Sequence, residues 1–220
     1  LPVTGLLTGM SFVLILAFSI PLGIFTARHA GGRLDRAMTA VNQVLMAIPA
    51  FVTGILLTYV FGLVLRWFVP GNYVSPGDNF GASLWYFLFP AVSIALPRVA
   101  MTVKMLRSSI LSELQKDYVR TSHSRGNSDR ATLYRHVLRN AMGPVVSFLA
   151  MTVADIVAGS VVIEQVFSLP GLGRMLLTSI ANRDYPVVQA VVVIVAFWVV
   201  LVNLLADLIN QRLDPRLRLT

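Results

Sequence analysis

The chain has 220 residues and no cysteine, which excludes a disulfide framework and any thiolate metal site. Charge is scarce: 13% of residues are Asp, Glu, Lys or Arg, against 56% hydrophobic. A soluble domain of this length needs more charge to cover its surface, so the solvent of this chain is the bilayer. No GxxxxGK[ST] phosphate loop occurs, and no lysine follows any glycine, which excludes ATP hydrolysis by that route. No HExxH pair occurs. His29, His123 and His136 are scattered over loops without metal-ligand spacing, so no metal site is assigned. No nucleophile–base pair lies within an apolar stretch, so no catalytic residue is assigned and the chain reads as a non-enzyme. The net charge of +8 does not indicate nucleic acid, because the basic residues sit between apolar runs rather than on one soluble face.

What the chain does have is long apolar runs. A helix needs about 20 apolar residues to cross the hydrocarbon core. Five stretches qualify: roughly Gly5–Ala27, Val41–Leu65, Trp85–Val103, Ala141–Ile163 and Pro186–Ala206. Helices are required because lipid leaves open backbone groups unsatisfied, and the short alternating segments of a β-barrel are absent. The first run lacks the basic flank and small-residue cleavage site of a signal peptide. The fold class is an all-α membrane protein, a polytopic helical bundle, with residues 1–220 forming one domain.

Orientation follows from lysine and arginine. Arg28, Arg33 and Arg36 follow the first run, and Lys104, Arg107, Lys116, Arg120, Arg125, Arg130, Arg135 and Arg139 follow the third. Arg212, Arg216 and Arg218 follow the fifth. The two remaining loops hold only Arg66, and Arg174 with Arg183, beside Trp67, Tyr73, Trp85 and Tyr185. The alternation puts Leu1 outside and Thr220 in the cytoplasm. Pro21, Pro49, Pro90, Pro97 and Pro144 fall within the spans and kink them, as packing geometry or as hinges.

The basic loop at about 113–140 reads as two short helices around Gly126. Tyr118–Arg125 makes about two turns, and Gly126 ends them in the manner of a glycine at a helix C-terminus, free to take positive φ. Asn127 or Ser128 caps the next helix, with Asp129 in its first turn. That helix runs to about Asn140, ahead of Pro144. Taken alone, this is either a docking surface or a solvated basic loop beside anionic headgroups.

Two charges lie inside spans. Asp155 is the one deep acidic residue. At midspan a carboxylate costs about 2.5–3.5 kcal/mol on insertion scales, so it faces protein or water. Either it lines a translocation cavity and attracts a cationic group, or it pairs with a buried partner such as Arg98. Asp207 and Asn203 read as helix-packing residues. In the loop at about 164–185, Pro170, Gly171 and Gly173 form a tight turn at the outer mouth, an external gate element rather than a phosphate cradle.

The segment YVRTSHSRGNS resembles the signature of permease subunits of ATP-binding-cassette importers, in which EAA, three residues and Gly recur. Arg120, Thr121 and Ser122 stand at the EAA places and Gly126 at the glycine. Tyr118, Val119, Arg120, Thr121, Arg125 and Gly126 fit the dipeptide, oligopeptide and nickel branch, from which Ser122 and His123 depart mildly. His136, Leu138, Arg139, Asn140 and Pro144 fit downstream, as do Gly159, Glu164, Phe167, Pro170, Gly171, Gly173 and Arg174. RDYPVVQ at Arg183–Gln189 and LDPRLR at Leu213–Arg218 complete a similarity that covers essentially the whole chain in order.

The resemblance implies the permease fold of type I importers, which has six spans. Five are visible here, in the register of a chain lacking the first. It also implies that Tyr118, Val119, Arg120, Thr121, Ser122, His123, Arg125 and Gly126 form a coupling helix. The implied partners are a homologous second permease subunit, two cytoplasmic ATP-binding subunits, and an extracytoplasmic substrate-binding protein. This chain binds no cofactor; ATP and Mg sit on the partner subunits. The implied activity is alternating access that imports di- and oligopeptides, or nickel, across a bacterial inner membrane. The alternative is a self-contained secondary transporter or channel, which needs ionisable relays in several spans or inverted repeats; one midspan acid and no repeat are visible.

Overall fold

A computed structural model describes residues 2–213, the side chains of 206, 207 and 209–213 excepted. The motif at Leu213–Arg218, the side chains of Asp207 and Arg212, and Thr220 therefore lie outside the described residues. Helix α1 covers Pro2–Arg28 and α2 Arg33–Ala47. Helix α3, Ala50–Leu57, continues as a π-helical segment through Thr58–Val64. Helix α4 is Phe80–Leu114 and α5 Asp117–Ser124. Helix α6, Asp129–Thr132, passes through a π-helical turn at Leu133–Val137 into α7, Leu138–Val166. Helix α8 is Leu172–Ala181 and α9 Tyr185–Leu213.

Among the described residues four helices are long and apolar enough to cross a membrane: Pro2–Arg28, Phe80–Leu114, Asp129–Val166 and Tyr185–Leu205. The fifth crossing differs from the single run expected at Val41–Leu65. Arg33–Ala47 and Ala50–Val64 meet at 94°. The cause is local. Ile48 is extended (φ −86°, ψ 119°), as the residue before a proline must tend to be, and Pro49 then starts the next helix with ψ 141°. Pro21, Pro90, Pro97 and Pro144 do not interrupt their helices. The short second helix expected to end near Asn140 likewise runs on past Pro144 into the span. In a membrane bundle one lost backbone bond is compensated by neighbouring side chains and local adjustment.

Helix α4 is the central element, packed on α1, α2, α3 and α7. Phe87 and Ile94, seven residues apart, and Leu106 and Ile110, four apart, have the spacing of one helical face, and all four are fully or almost fully buried. Close crossing with α1 depends on small residues. A Cβ at Gly23 would come within 2.7 Å of Leu106 Cδ2, and Ser11 and Ser19 are fully buried on the same helix. Asn79 caps α4, its side chain accepting from Ala82 N at 3.0 Å. At 1.5 Å per residue the 35 residues of α4 span about 52 Å, longer than a hydrocarbon core of about 30 Å. The helix thus carries its charged last turns, with Lys104, Arg107 and Glu113, to the start of α5.

Candidate functional site

Helix α5 has two faces. Val119 and Ser122 are buried, whereas Arg120, Thr121, His123, Ser124 and Arg125 are exposed. The buried face is fastened by polar bonds. Ser122 Oγ lies 2.9 Å from Thr132 Oγ1, and Asn127 Nδ2 donates to Ser122 Oγ at 3.1 Å. The Tyr118 hydroxyl donates to Glu113 Oε2 at 2.8 Å, tying α5 to the end of α4. Burial, with the Glu113 carboxylate beside it, holds the Tyr118 phenol above its ordinary pKa, so it remains a donor. Gly126 has φ +82° with nothing near its missing Cβ, so backbone conformation alone requires glycine there. Ser128 caps the next helix through Ala131 N at 3.3 Å. His123 Nε2 faces Asp129 Oδ1 at 3.4 Å. The result is a short helix fastened to the end of α4 and to α6 that presents a polar, basic ridge.

Two of the basic regions meet at one end of the bundle. Arg28, at the end of α1, lines one groove with His123, Asp129 and Arg130. At the opposite ends of α4 and α7, the Tyr86 hydroxyl receives Gly71 N at 3.1 Å and donates to Phe167 O at 2.6 Å, joining the two loops poor in positive charge. Trp85 Nε1 donates to Trp67 O at 3.0 Å within the same cluster.

Arg98 and Asp155 come near each other without pairing. Arg98 on α4 is half-buried, and its Nη2 would lie 3.7 Å from a Cβ at Gly159 of α7, one turn from Asp155. Asp155 is exposed on the face of α7 that also bears exposed Met151, Gly159 and Val162. Among the described residues no ion pair joins the two, and Arg98 Nε is buried without a hydrogen-bond partner. The buried pair considered for these residues is thus not formed in this conformation.

The turn at Pro170–Gly173 has a different role from a simple loop. Its organiser is Glu164, which is fully buried. Thr4 Oγ1 donates to Glu164 Oε1 at 2.7 Å, and Gly173 N and Arg174 N donate to Oε2 at 2.6 and 3.2 Å. Thr4 Oγ1 also accepts from Leu172 N at 3.1 Å. The carboxylate therefore satisfies the open N–H groups of α8 and supplies negative charge at its N-terminus. Pro170 is exposed, but Gly171 and Gly173 are buried. A Cβ at Gly171 would collide with the Glu164 carboxyl group, and one at Gly173 with Val161 Cα. The glycines serve close approach, not turn φ.

Two features escaped sequence reasoning. The Thr4–Glu164 contact joins residues 160 apart, and neither has a local signal for it. Nor does the fork between Arg107 and Asp35: Nε to Oδ1 and Nη2 to Oδ2, both 2.7 Å, with Gly31 N also donating to Oδ2 at 2.9 Å. It clamps α2 to α4. Among the described residues no group of three His, Cys, Asp or Glu side chains gathers where a metal ion would be held.

Among the described residues apolar helices pack around α4, one further span is broken at Pro49, and a basic helix stands at one end. The family described as the inner membrane component of binding-protein-dependent transport systems matches residues 19–219. The oligopeptide transport system permease protein AppB of Bacillus subtilis is 36% identical over 99% of this chain and 69% of its own length. The nickel import system permease protein NikB of Staphylococcus aureus is 33% identical over 99% of this chain and 63% of its own. An inward-facing structure of the MetNI methionine ABC transporter matches with a TM-score of 0.74 at 18% identity, covering 96% of this chain and 93% of that one, a likeness of fold. The chain belongs to the binding-protein-dependent inner-membrane family, as a multi-pass permease subunit of an ABC importer and not its ATPase.

Proposed function

We propose that this permease imports short peptides by alternating access, driven through α5 by cytoplasmic ATPases that hold the ATP and Mg. The observation that carries this reading is the construction of α5. A free basic loop has no need of a buried Val119–Ser122 seam, a Tyr118 anchor and a positive-φ exit at Gly126. A lever that must transmit force does. The exposed ridge of Arg120, Thr121, His123 and Arg125 is the contact surface, residues 1–220 act as one permease domain, and a homologous permease completes the pore. The basic end, with Arg28 and α5, faces the cytoplasm together with the C-terminus. The turn at Pro170, Gly171 and Gly173 lies outside, where a binding protein delivers cargo.

AppB is named for oligopeptides and NikB for nickel, so nickel is the second reading of the cargo. Opposite charges at Arg98 and Asp155 favour a cargo bearing both signs. The coupling role is tested with Thr121→Cys in the assembled complex, the permease having no native cysteine. The cysteine should crosslink to the ATPase with a yield that changes when ATP binds. An assembled, transporting complex giving no crosslink at any ATP level would remove the role of α5.

A further inference from the structure

The structure assigns Arg98 and Asp155 as the two halves of a zwitterion-binding site for di- or tripeptides, Arg98 receiving the C-terminal carboxylate and Asp155 the N-terminal ammonium. This rests on the permease reading above and adds the chemistry of its path. Arg98 and Asp155 are charges within apolar spans, where ionisable residues face protein or a water-filled cavity rather than lipid. Asp155 is exposed on α7, and the guanidinium of Arg98 reaches the same helix at Gly159. They have opposite sign and form no ion pair, and Arg98 Nε is buried without a partner. Asp155 therefore has unused charge on the exposed face of α7, and the Arg98 guanidinium, reaching that helix at Gly159, has an unused donor.

The spacing selects the ligand. Gly159, which the guanidinium touches, and Asp155 are one turn apart, about 6 Å along the helix axis. An extended peptide advances about 3.3–3.6 Å per residue, so the termini of a dipeptide or tripeptide span that separation once side-chain reach is included. Guanidinium is matched to a carboxylate, which it grips bidentately. A bare metal cation finds here one carboxylate beside a positive charge, which is a poor coordination set. Gly159 has no side chain between the two groups. The neighbouring exposed residues, Met151 and Met101, offer adaptable apolar contact to varied peptide side chains.

The test uses the complete transporter, with partner permease, ATPases and binding protein, in proteoliposomes. A mixture of di- and tripeptides with free termini, or nickel chloride, is supplied, and vesicle contents are read by mass spectrometry beside ATP hydrolysis. Arg98→Gln and Asp155→Asn should each lower peptide uptake per ATP hydrolysed about tenfold or more, the loss of one charge-assisted contact. Stimulation of hydrolysis by loaded binding protein should persist, and Arg98→Lys and Asp155→Glu should restore part of the uptake. Unchanged uptake in both neutral variants overturns the site. So does failure of all four variants to assemble, which would make the charges structural. Nickel uptake without peptide uptake, with hydrolysis still stimulated, overturns the site and leaves the permease reading standing. Hydrolysis that never responds to the binding protein, even in the unaltered complex, overturns both.

Discussion

Replacing Glu164 by Gln removes one charge and almost no volume. The carboxylate accepts from Thr4 Oγ1 through one oxygen and from Gly173 N and Arg174 N through the other. A glutamine offers one oxygen. If that oxygen faces the two backbone N–H groups, the amide NH₂ faces Thr4, whose oxygen already accepts from Leu172 N. The Thr4 hydroxyl proton then loses its acceptor inside a buried site, a penalty of about 1–3 kcal/mol. Loss of negative charge at the start of α8 adds about 0.3–1 kcal/mol. The sum, about 1–4 kcal/mol, should appear as an earlier midpoint when the permease is unfolded in mixed dodecylsulfate micelles. Thr4→Val strikes the same network from α1. The two substitutions together should therefore cost less than their sum, with a coupling of about 1 kcal/mol. A cysteine placed at Ser168, in the same turn, should label faster in the Glu164→Gln background, because the turn is no longer held. Midpoints equal to the unaltered protein in both single variants, or strictly additive losses, would refute the view that one buried carboxylate ties α1, α7 and α8 together.

Gly126→Val should leave membrane insertion intact and weaken ATPase docking or uncouple hydrolysis from uptake, since a β-branched residue at φ +82° is strained by about 1–3 kcal/mol; normal coupling would discard the lever. Gly173→Ala should be more damaging than Gly126→Ala in the same unfolding titration, because its Cβ meets the backbone of Val161 whereas nothing lies near Gly126. Arg107→Met should cost about 3–5 kcal/mol as an upper figure, by stranding the buried Asp35, and a combined Asp35→Leu should recover much of it; equal losses would mean the fork contributes little. Single cysteines at Gly32 and Asn127 should label only from the cytoplasm and those at Asn72 and Ser168 only from outside, and external labelling of Asn127 in sealed cells would reverse the orientation.

The apolar runs were readable because lipid imposes one requirement on every spanning segment: about 20 apolar residues whose backbone bonds close internally. That condition is local, so α1, α4, α7 and α9 stand close to where composition put them. Gly126 was readable for the same reason, since a glycine ending two helical turns is a feature of four or five residues, and φ +82° followed. The second span was not. Pro49 announced a kink, as did Pro21, Pro90, Pro97 and Pro144, and the sequence offers no sign that only one of the five would turn the chain by 94°. What separates them is the residue before each proline: Ile48 is extended, whereas Ile20, Phe89, Leu96 and Gly143 stay helical. The importance of Glu164 was equally hidden: an acid at the end of an apolar run looks like a surface residue until Thr4, from the far end of the chain, and the turn at Gly171–Gly173 close over it. The pairing of Arg98 with Asp155 was weighed from the sequence, yet only the relative placement of α4 and α7 leaves them apart, Asp155 exposed on α7 and the Arg98 guanidinium reaching that helix at Gly159. Spans and turns depend on residues adjacent in the chain. Buried carboxylates, ion pairs and binding surfaces depend on helices brought together from distant segments, a placement that only packing establishes.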